Sequence, residues 1–497
     1  MPCTVKHRGD SSMDSAIKHL SKNSLIYGFG LFAVRGAGFL LFPVYTNFVS
    51  TDDMGRYALG VLLASMMVLL IQGGLGQAFI REYGTVGSEE ERRAVFFRTF
   101  SSVCFSALVL FLILAVFRVH LAGFLFGKGF ERLILLLGAS IFFEAVSQYP
   151  MLVLRCRERV LLYQGIQLAA MAVQIGTALH LVMIKRMGVE GIFISQAAAF
   201  LFTLILVSPL ILRHLPRTGS WKGLGSMLQF GLPHLISGLF IVIIDLSDRF
   251  LLQRLTDLHT VGVYNAGCKL AALMALAVAG FRYAWIPLIV SLDENRIRDV
   301  LSRVPTYFLL AGGWFYLFLF FFINDLVRFQ IGSIRFMGPR FTEGLSMVPW
   351  IAGAYLCYGF FILLLPGVYR AGKSGGLILI AGLGALVNLA GNFWLIPLTG
   401  MKGAAWSTLA AYFLMMSWQY IYVQRLFPVQ YELRRLGILL CLFVCTGIAG
   451  ILIGGSWAGL IRGVLLLSIP LILWIVPFFD SAERSVIREK AACLIRL

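Results

Sequence analysis

Apolar runs of about 20 residues recur along nearly the whole chain, and they limit its possible folds more than any other feature. Each run is long enough to cross the hydrocarbon of a bilayer as an α-helix, and none alternates like a strand. Only 13% of the 497 residues are charged, whereas soluble domains carry about 25%. Because backbone polar groups in lipid must be satisfied internally, the sequence predicts an all-α polytopic membrane protein.

We predict about fourteen transmembrane helices joined by short connections. Residues 12–23 precede the first of them and have the pattern of a short amphipathic helix lying at the membrane surface. The longest connection, 325–345, has no room for a folded domain. The predicted spans are 24–48, 56–80, 96–117, 133–154, 160–183, 190–212, 228–251, 260–286, 303–324, 346–368, 375–398, 403–424, 436–455 and 458–478.

Positive charges are distributed unevenly between the two sides of the predicted membrane. With the amino terminus in the cytoplasm, 26 Lys and Arg fall on cytoplasmic segments and 13 on the opposite side. This positive-inside bias predicts that both termini are cytoplasmic. The net charge of +18 therefore indicates orientation rather than nucleic-acid binding, and arginine runs such as Arg155, Arg157 and Arg159 are most simply orientation anchors.

Eight cysteines are scattered along the chain without a CxxC pair or a Cys/His cluster of metal-ligand spacing. Most lie in apolar runs, where cysteine behaves as a small hydrophobic residue. We therefore expect no disulfide, no metal and no cofactor. The cysteines are Cys3, Cys104, Cys156, Cys268, Cys357, Cys441, Cys445 and Cys493.

The two halves of the chain resemble each other at an offset of about 205–215 residues. The segment 188–191 recurs as 400–403, and 55–57 recurs as 262–264. Each half has six predicted spans, so both repeats enter the membrane from the same side. This predicts two pseudo-symmetric six-helix bundles around a central cavity. The predicted domains are an N-terminal bundle (1–215), a C-terminal bundle (216–425), and two extra helices with a cytoplasmic tail (426–497).

Three segments resemble the signatures of one transporter family. Residues 231–249 contain GLP and SDR, residues 261–287 contain VGVY and AWIP, and residues 388–405 contain NLAGN, LIP and GAA. Together they resemble the Wzx-type O-antigen and polysaccharide flippases of the multidrug/oligosaccharidyl-lipid/polysaccharide exporter superfamily. The resemblance covers essentially residues 15–425, and it departs at 234–236, where the family more often has an apolar residue and a second proline.

The resemblance implies a MATE-like exporter fold in the bacterial cytoplasmic (inner) membrane. It implies export of an undecaprenyl-pyrophosphate-linked oligosaccharide repeat unit to the periplasmic leaflet, for O-antigen, lipopolysaccharide, capsule or exopolysaccharide biosynthesis. The expected partners are this lipid-linked oligosaccharide and the lipid bilayer, with a polysaccharide polymerase and a chain-length regulator as further candidates. No nucleic acid is expected.

Charged side chains within the predicted spans are the candidate site residues. An ionised side chain at the bilayer centre costs about 2.5–3.5 kcal/mol on insertion scales, so such residues commonly line a polar cavity. Phosphates need cationic partners, and Arg35, Lys269 and Arg282 are the candidates for contacts with the pyrophosphate. The alternative for Arg282 is that its side chain extends to the cytoplasmic face. Glu144 is either a proton-coupling carboxylate or a charge-balancing partner for Arg35.

The run 230–255 and the eleventh span supply further candidates for substrate binding, each with a structural alternative. Asp245 and Arg249 stand four residues apart and can instead neutralise each other inside the bundle, and Asp248 and Arg249 can instead extend to the outer membrane interface. Intramembrane amides commonly form interhelical hydrogen bonds, and we expect this also of Gln164, Gln167 and Gln174. The further substrate-binding candidates are Asp245, Asp248, Arg249, Asn388 and Asn392.

The sequence favours a transporter over an enzyme. A membrane polysaccharide polymerase or ligase usually carries a large periplasmic loop, and no connection here approaches that size. A flippase for the peptidoglycan lipid precursor and a drug/cation antiporter of the same superfamily remain as alternatives. We expect alternating access, driven by an ion gradient, by the membrane potential or by consumption of the substrate on the far side.

Overall fold

A computed structural model describes residues 38–215, 220–290, 294–332, 334–370, 375–455, 457–476, 478–481 and 483–485. The predicted interfacial helix, most of the first predicted span and the candidate residue Arg35 lie outside the described residues. Nearly all of the described part is helical. A two-stranded antiparallel pair, β1 Gln330–Ile331 with β2 Ile334–Arg335, and a 3₁₀ helix, Pro339–Met347, occupy the longest connection.

The helices follow one another through mostly short connections, with a π-helical turn, Leu179–Ile184, extending α7. Across the described ranges they are α1 Phe42–Phe48, α2 Thr51–Gln72, α3 Leu75–Thr85, α4 Glu89–Val116, α5 Arg118–Leu125, α6 Glu131–Cys156, α7 Val160–Ala178, α8 Gly188–His214, α9 Leu224–Leu255, α10 Leu258–Val290, α11 Glu294–Arg328, α12 Val348–Arg370, α13 Gly375–Thr399, α14 Met401–Leu426, α15 Leu433–Leu452 and α16 Ala458–Ile475.

Twelve helical segments of the described residues are long and apolar enough to cross a membrane. The prediction of an all-α polytopic membrane protein is therefore confirmed, with twelve candidate spans against about fourteen predicted. The predicted span 403–424 forms α14, a helix of 26 residues that is not among the twelve. The other difference is the first predicted span, of which only the end is described.

Local sequence determines where several helices begin and end. Ser50 caps α2 because its hydroxyl accepts a hydrogen bond from the Asp53 backbone N–H at 3.1 Å. The same helix ends at Gly73, whose φ of 53° lies in the left-handed region that favours glycine. At the start of α4, Ser88 and Glu91 form a reciprocal capping box. These caps allow short connections between long helices.

The helices of each half pack mainly against one another. In the first half α6 packs against α4 and α8, and in the second half α14 packs against α12 and α13. The halves meet where α2 contacts α9 and α10. α15 and α16 lie against α11, where the Trp314 indole N–H donates to the Leu466 carbonyl at 3.1 Å. The predicted limits of the three domains stay a prediction.

Candidate functional site

A cavity of about 710 Å³ lies within the first half, between α2, α6, α7 and α8. About half of its lining residues are apolar, among them Phe193 and Phe200. The others supply glutamine amides, the hydroxyls of serine, threonine and tyrosine, and Glu144, which is the one carboxylate among the described lining residues. Because amides and hydroxyls both donate and accept hydrogen bonds, this lining suits a polar, uncharged ligand. The lining glutamines are Gln72, Gln148, Gln167, Gln174 and Gln196.

Hydrogen bonds between helices hold several of these amides. The Gln72 amide donates to the Gln148 amide oxygen, which joins α2 to α6. The Gln196 amide donates to the Tyr57 hydroxyl at 3.3 Å, which joins α8 to α2. An amide fixed through one atom presents its remaining donor and acceptor in a defined direction, and this favours selective binding.

Lys269, on α10, lies at the contact between the two halves. Its ammonium nitrogen is 4.5 Å from the centre of the Tyr57 ring and 5.5 Å from that of Tyr45. Both tyrosines belong to the first half, and their ring faces stabilise a cation by about 0.5–2 kcal/mol. No carboxylate of the described chain lies within 4.0 Å of Lys269. Tyr57 thus links this cation to Gln196 in the cavity wall.

The halves close against each other at one end of the bundle, called here the Thr51 end, where α2 begins and α9 ends. His259 Nδ1 lies 2.8 Å from Thr51 Oγ1. The Arg254 guanidinium donates to the Phe124 carbonyl at 2.8 Å and lies 3.9 Å from the centre of that ring. Each contact joins the first half to the second, so the Thr51 end is closed in this conformation.

The charged side chains of α9 form a network inside the second half. The Arg249 guanidinium pairs with Asp248 at 2.7 Å, and the two side chains are only 8% and 1% exposed. Tyr264 donates a hydrogen bond to the other oxygen of Asp248, and Tyr412 donates one to Asp245. Buried carboxylates need such donors, so this arrangement stabilises the bundle.

This network differs from the direct pairing of Asp245 with Arg249 that the sequence suggested. The partner of Arg249 is the adjacent Asp248, and the Arg249 guanidinium reaches only the backbone carbonyl of Asp245. One oxygen of the Asp245 carboxylate accepts its hydrogen bond from Tyr412. None of these charged residues lines the cavity of the first half.

Asn388 and Asn392 are fully buried rather than exposed to a cavity. Asn388 accepts hydrogen bonds from the Ser247 hydroxyl at 3.2 Å and the Asn392 amide at 3.1 Å, and it donates to Thr408 at 3.2 Å. These bonds join α9, α13 and α14. The structure therefore favours the interhelical alternative for Asn388, whereas the bond of Asn392 to Asn388 stays within α13.

The other predicted site residues lie apart from one another. Glu144 lines the cavity, whereas Lys269 lies at the contact between the halves. Arg282 is partly exposed towards the end of α10 opposite the Thr51 end. Arg35 lies outside the described residues. The structure thus brings Glu144 to the candidate site and connects Lys269 to it through a tyrosine, without gathering the charges into one cluster.

Sequence reasoning did not single out Gln72, Gln148 and Gln196. The available signal was the presence of glutamine within three apolar runs, since polar side chains inside transmembrane segments face a neighbouring helix or a cavity. The sequence does not supply the rotation of each helix about its axis. That rotation decides which of these amides converge.

A sequence-family model described as "Polysaccharide biosynthesis protein" matches residues 20–293. No curated protein sequence matches the chain. The family match covers more than half of the 497 residues, including the cavity and Lys269.

Solved structures with the same fold are membrane transporters. The lipid II flippase MurJ, in an inward closed conformation, is similar with a TM-score of 0.71 at 15% identity, over 90% of this chain and 97% of that one. A mutant of the Vibrio cholerae MATE transporter VcmN is similar with a TM-score of 0.59 at 17% identity, over 84% of this chain and 98% of that one. An inward-facing MATE family transporter of the MOP superfamily is similar with a TM-score of 0.62 at 13% identity, over 79% of this chain and 95% of that one. These similarities confirm the predicted MATE-like fold.

Proposed function

The chain belongs to the family of polysaccharide biosynthesis proteins, and we propose that it is a flippase for a lipid-linked oligosaccharide. Its cargo is an undecaprenyl-pyrophosphate-linked repeat unit, moved from the cytoplasmic to the periplasmic leaflet of the bacterial inner membrane. The protein binds and releases this cargo without changing its covalent structure. It supplies repeat units to O-antigen, capsule or exopolysaccharide assembly.

The observation that carries this proposal is the cavity of the first half. Its volume of about 710 Å³ and its glutamine and hydroxyl lining suit sugar rings, whose hydroxyls both donate and accept hydrogen bonds. Glu144 adds one strong acceptor for a pair of sugar hydroxyls. The lining also includes apolar residues such as Phe193 and Phe200. A wholly apolar ligand would leave the polar atoms unpaired, so these atoms favour a ligand that carries hydroxyl groups.

Alternating access follows from two halves that meet along α2, α9 and α10. The distribution of Lys and Arg assigns both termini to the cytoplasm, so the closed Thr51 end faces the periplasm. The oligosaccharide enters from the cytoplasmic side, and separation of the halves at the Thr51 end releases it. Lys269 lies at that contact, and its ammonium group is placed to meet a phosphate as the halves part.

Deletion of the gene tests the cargo. In right-side-out vesicles of the deletion strain, we expect lipid-linked repeat units to accumulate on the cytoplasmic face, where added periodate cannot reach them. Restoring the gene should expose the repeat units to periodate. Accumulation of the peptidoglycan lipid precursor instead would identify that flippase. Drug hypersensitivity with normal repeat units would identify an antiporter, and exposed but unpolymerised repeat units would identify a polymerase or ligase.

Substitution of Gln148 tests the cavity itself. Gln148→Leu keeps the side-chain size but removes hydrogen bonds worth about 1 kcal/mol each, so we expect translocation to fall about fivefold to tenfold at normal protein abundance. Gln330→Leu is the matched control, because Gln330 is exposed in β1 and away from the cavity. Equal effects of the two substitutions would exclude the cavity as the sugar site.

A further inference from the structure

A second pocket, of about 390 Å³, lies at the end of the bundle opposite the Thr51 end and is strongly basic. Four arginines line it against a single carboxylate, and that carboxylate, Glu89, is already paired with Arg157 at 2.6 Å. No other described carboxylate lies within 4.0 Å of the remaining three arginines. The arginines are Arg93, Arg157, Arg159 and Arg213.

Three separate elements bring these cations together. Arg93 comes from the first turns of α4, and Arg213 comes from the last turn of α8. Arg157 and Arg159 come from the tight connection between α6 and α7, where Glu158 adopts a left-handed φ of 53°. Orientation in a membrane requires only that cations lie on the loops of one side, not that they converge on a shared cavity. The convergence therefore needs a separate explanation.

His214 completes the lining and is itself buried, at 5% exposure. Its Nδ1 lies 2.8 Å from the Leu210 carbonyl, which can only accept, so Nδ1 carries a hydrogen. Nε2 therefore remains available to the pocket. Nε2 donates to a phosphate oxygen only when the imidazole is protonated, so the donors for a phosphate here are the guanidinium groups, whose planar, charged N–H groups match its several acceptor oxygens.

The surroundings of the pocket point to a phosphate carried by a lipid. The side chains of Leu161, after the connection, and Leu212, next to Arg213, are 76% and 74% exposed. Both belong to helices that are candidate membrane spans, so an acyl or polyprenyl chain can lie along them while its phosphate occupies the pocket. A soluble phosphate would make no use of these apolar side chains.

We propose that this pocket binds the phosphate or diphosphate headgroup of a membrane lipid. The site is separate from the cavity of the first half, and its occupancy does not depend on transport. An anionic phospholipid and a polyprenyl diphosphate offer the same chemistry, and both belong to the class of ligand proposed.

Native mass spectrometry of the full chain, released from nanodiscs, tests the site. The probes are phosphatidylglycerol and undecaprenyl diphosphate, each diluted into phosphatidylcholine, and inorganic pyrophosphate added alone. The variant Arg159→Gln/Arg213→Gln removes two cations from the pocket. The control Arg155→Gln/Arg425→Gln removes the same charge from exposed arginines at the same end of the bundle that do not line the pocket.

We expect the pocket variant to retain at least one of the two lipids at least about tenfold less well than the wild type, because it loses two charged hydrogen-bond donors. The control variant should retain the lipids as well as the wild type does. Arg159→Lys/Arg213→Lys keeps both positive charges and should retain the lipids better than the glutamine variant. Whichever lipid responds identifies the source of the phosphate. The proposal would be overturned if the pocket and control variants lost lipid retention equally, or if neither lost any. It would also be overturned if the protein bound pyrophosphate as tightly as the lipids. Unchanged melting temperatures ensure that a loss reflects binding rather than unfolding.

Discussion

Gly55 on α2 and Gly262 on α10 occupy equivalent places in the two sequence repeats, and they pack directly against each other's helix. A Cβ on Gly55 would overlap the Leu258 carbonyl, and a Cβ on Gly262 would overlap the Thr51 carbonyl. Thr51 and Leu258 are separated by the same 207 residues as the two glycines. The contact is therefore reciprocal, as expected where the repeat axis passes between the halves. Only glycine permits this approach at the Thr51 end.

Enlarging Gly262 should hold the Thr51 end open. Gly262→Leu forces the helices apart, and overpacking of this kind typically costs about 1–3 kcal/mol. We expect a cysteine placed at Lys269 to react with a water-soluble maleimide several times faster in the Gly262→Leu background. Mass spectrometry locates the label among the native cysteines.

Gly280→Leu is the matched control for this prediction. Gly280 lies on the same helix, α10, and a Cβ there would meet nothing within 4 Å. It should leave the labelling rate of the introduced cysteine unchanged. Comparable acceleration in both variants would mean that the crossing of α2 and α10 does not control access to Lys269.

The ion pair of Asp248 with Arg249 predicts a large loss of stability when one partner is removed. Asp248→Asn leaves a guanidinium that is 8% exposed without its counter-charge, and breaking such a pair typically costs about 3–5 kcal/mol. We expect a marked fall in the melting temperature of the purified protein. Glu190→Gln removes the partner of Arg132 in a pair whose side chains are 31% and 67% exposed, and it should cost at most about 1 kcal/mol. Similar melting temperatures for the two variants would contradict the assigned network.

Sequence reasoning predicted the helical membrane architecture and the repeat because both depend on periodic features of the chain. The Gly55 and Gly262 equivalence followed from a shared offset, without knowledge of packing. The roles of Asn388 and Asp245 could not be predicted in the same way. An intramembrane polar side chain faces either a cavity or another helix, and the choice depends on helix rotation and on the neighbour opposite, such as Thr408 or Tyr412.

The predicted pairing of Arg35 with Glu144 is open to a double-mutant cycle. Arg35→Ala should abolish surface polysaccharide at normal protein abundance. If Glu144 serves only to balance Arg35, the losses of folding stability in Arg35→Ala and Glu144→Gln should be non-additive, and the thermal unfolding of the four proteins should give a coupling of about 0.5–3 kcal/mol. If Glu144 couples transport to protons, Glu144→Gln should instead remove the response of transport to a pH gradient. Full complementation of a flippase-null strain by Arg35→Ala would exclude its role.

Glu483 gives the chain a pH-dependent contact beyond the last helix. Burial alone would raise the pKa of this carboxyl, but bonds from Tyr307, the Asp480 backbone N–H and Arg435 together hold the pKa below its ordinary value. The Arg435 guanidinium reaches both carboxylate oxygens, at 3.1 and 3.2 Å. Because the folded pKa is lowered, the stabilisation is fully present above the unfolded value of about 4.3 and is lost as pH falls through the folded value.

Glu483→Gln should therefore lower the melting temperature at pH 7, and the difference from the wild type should shrink as the pH falls below about 4. Thermal unfolding of both proteins between pH 3 and pH 8 measures this difference. Glu343→Gln is the control, because Glu343 is exposed and its side chain has no ion pair among the described residues. A difference between Glu483→Gln and wild type that stayed constant across this range would mean that the Glu483 charge does not stabilise the contact with Arg435.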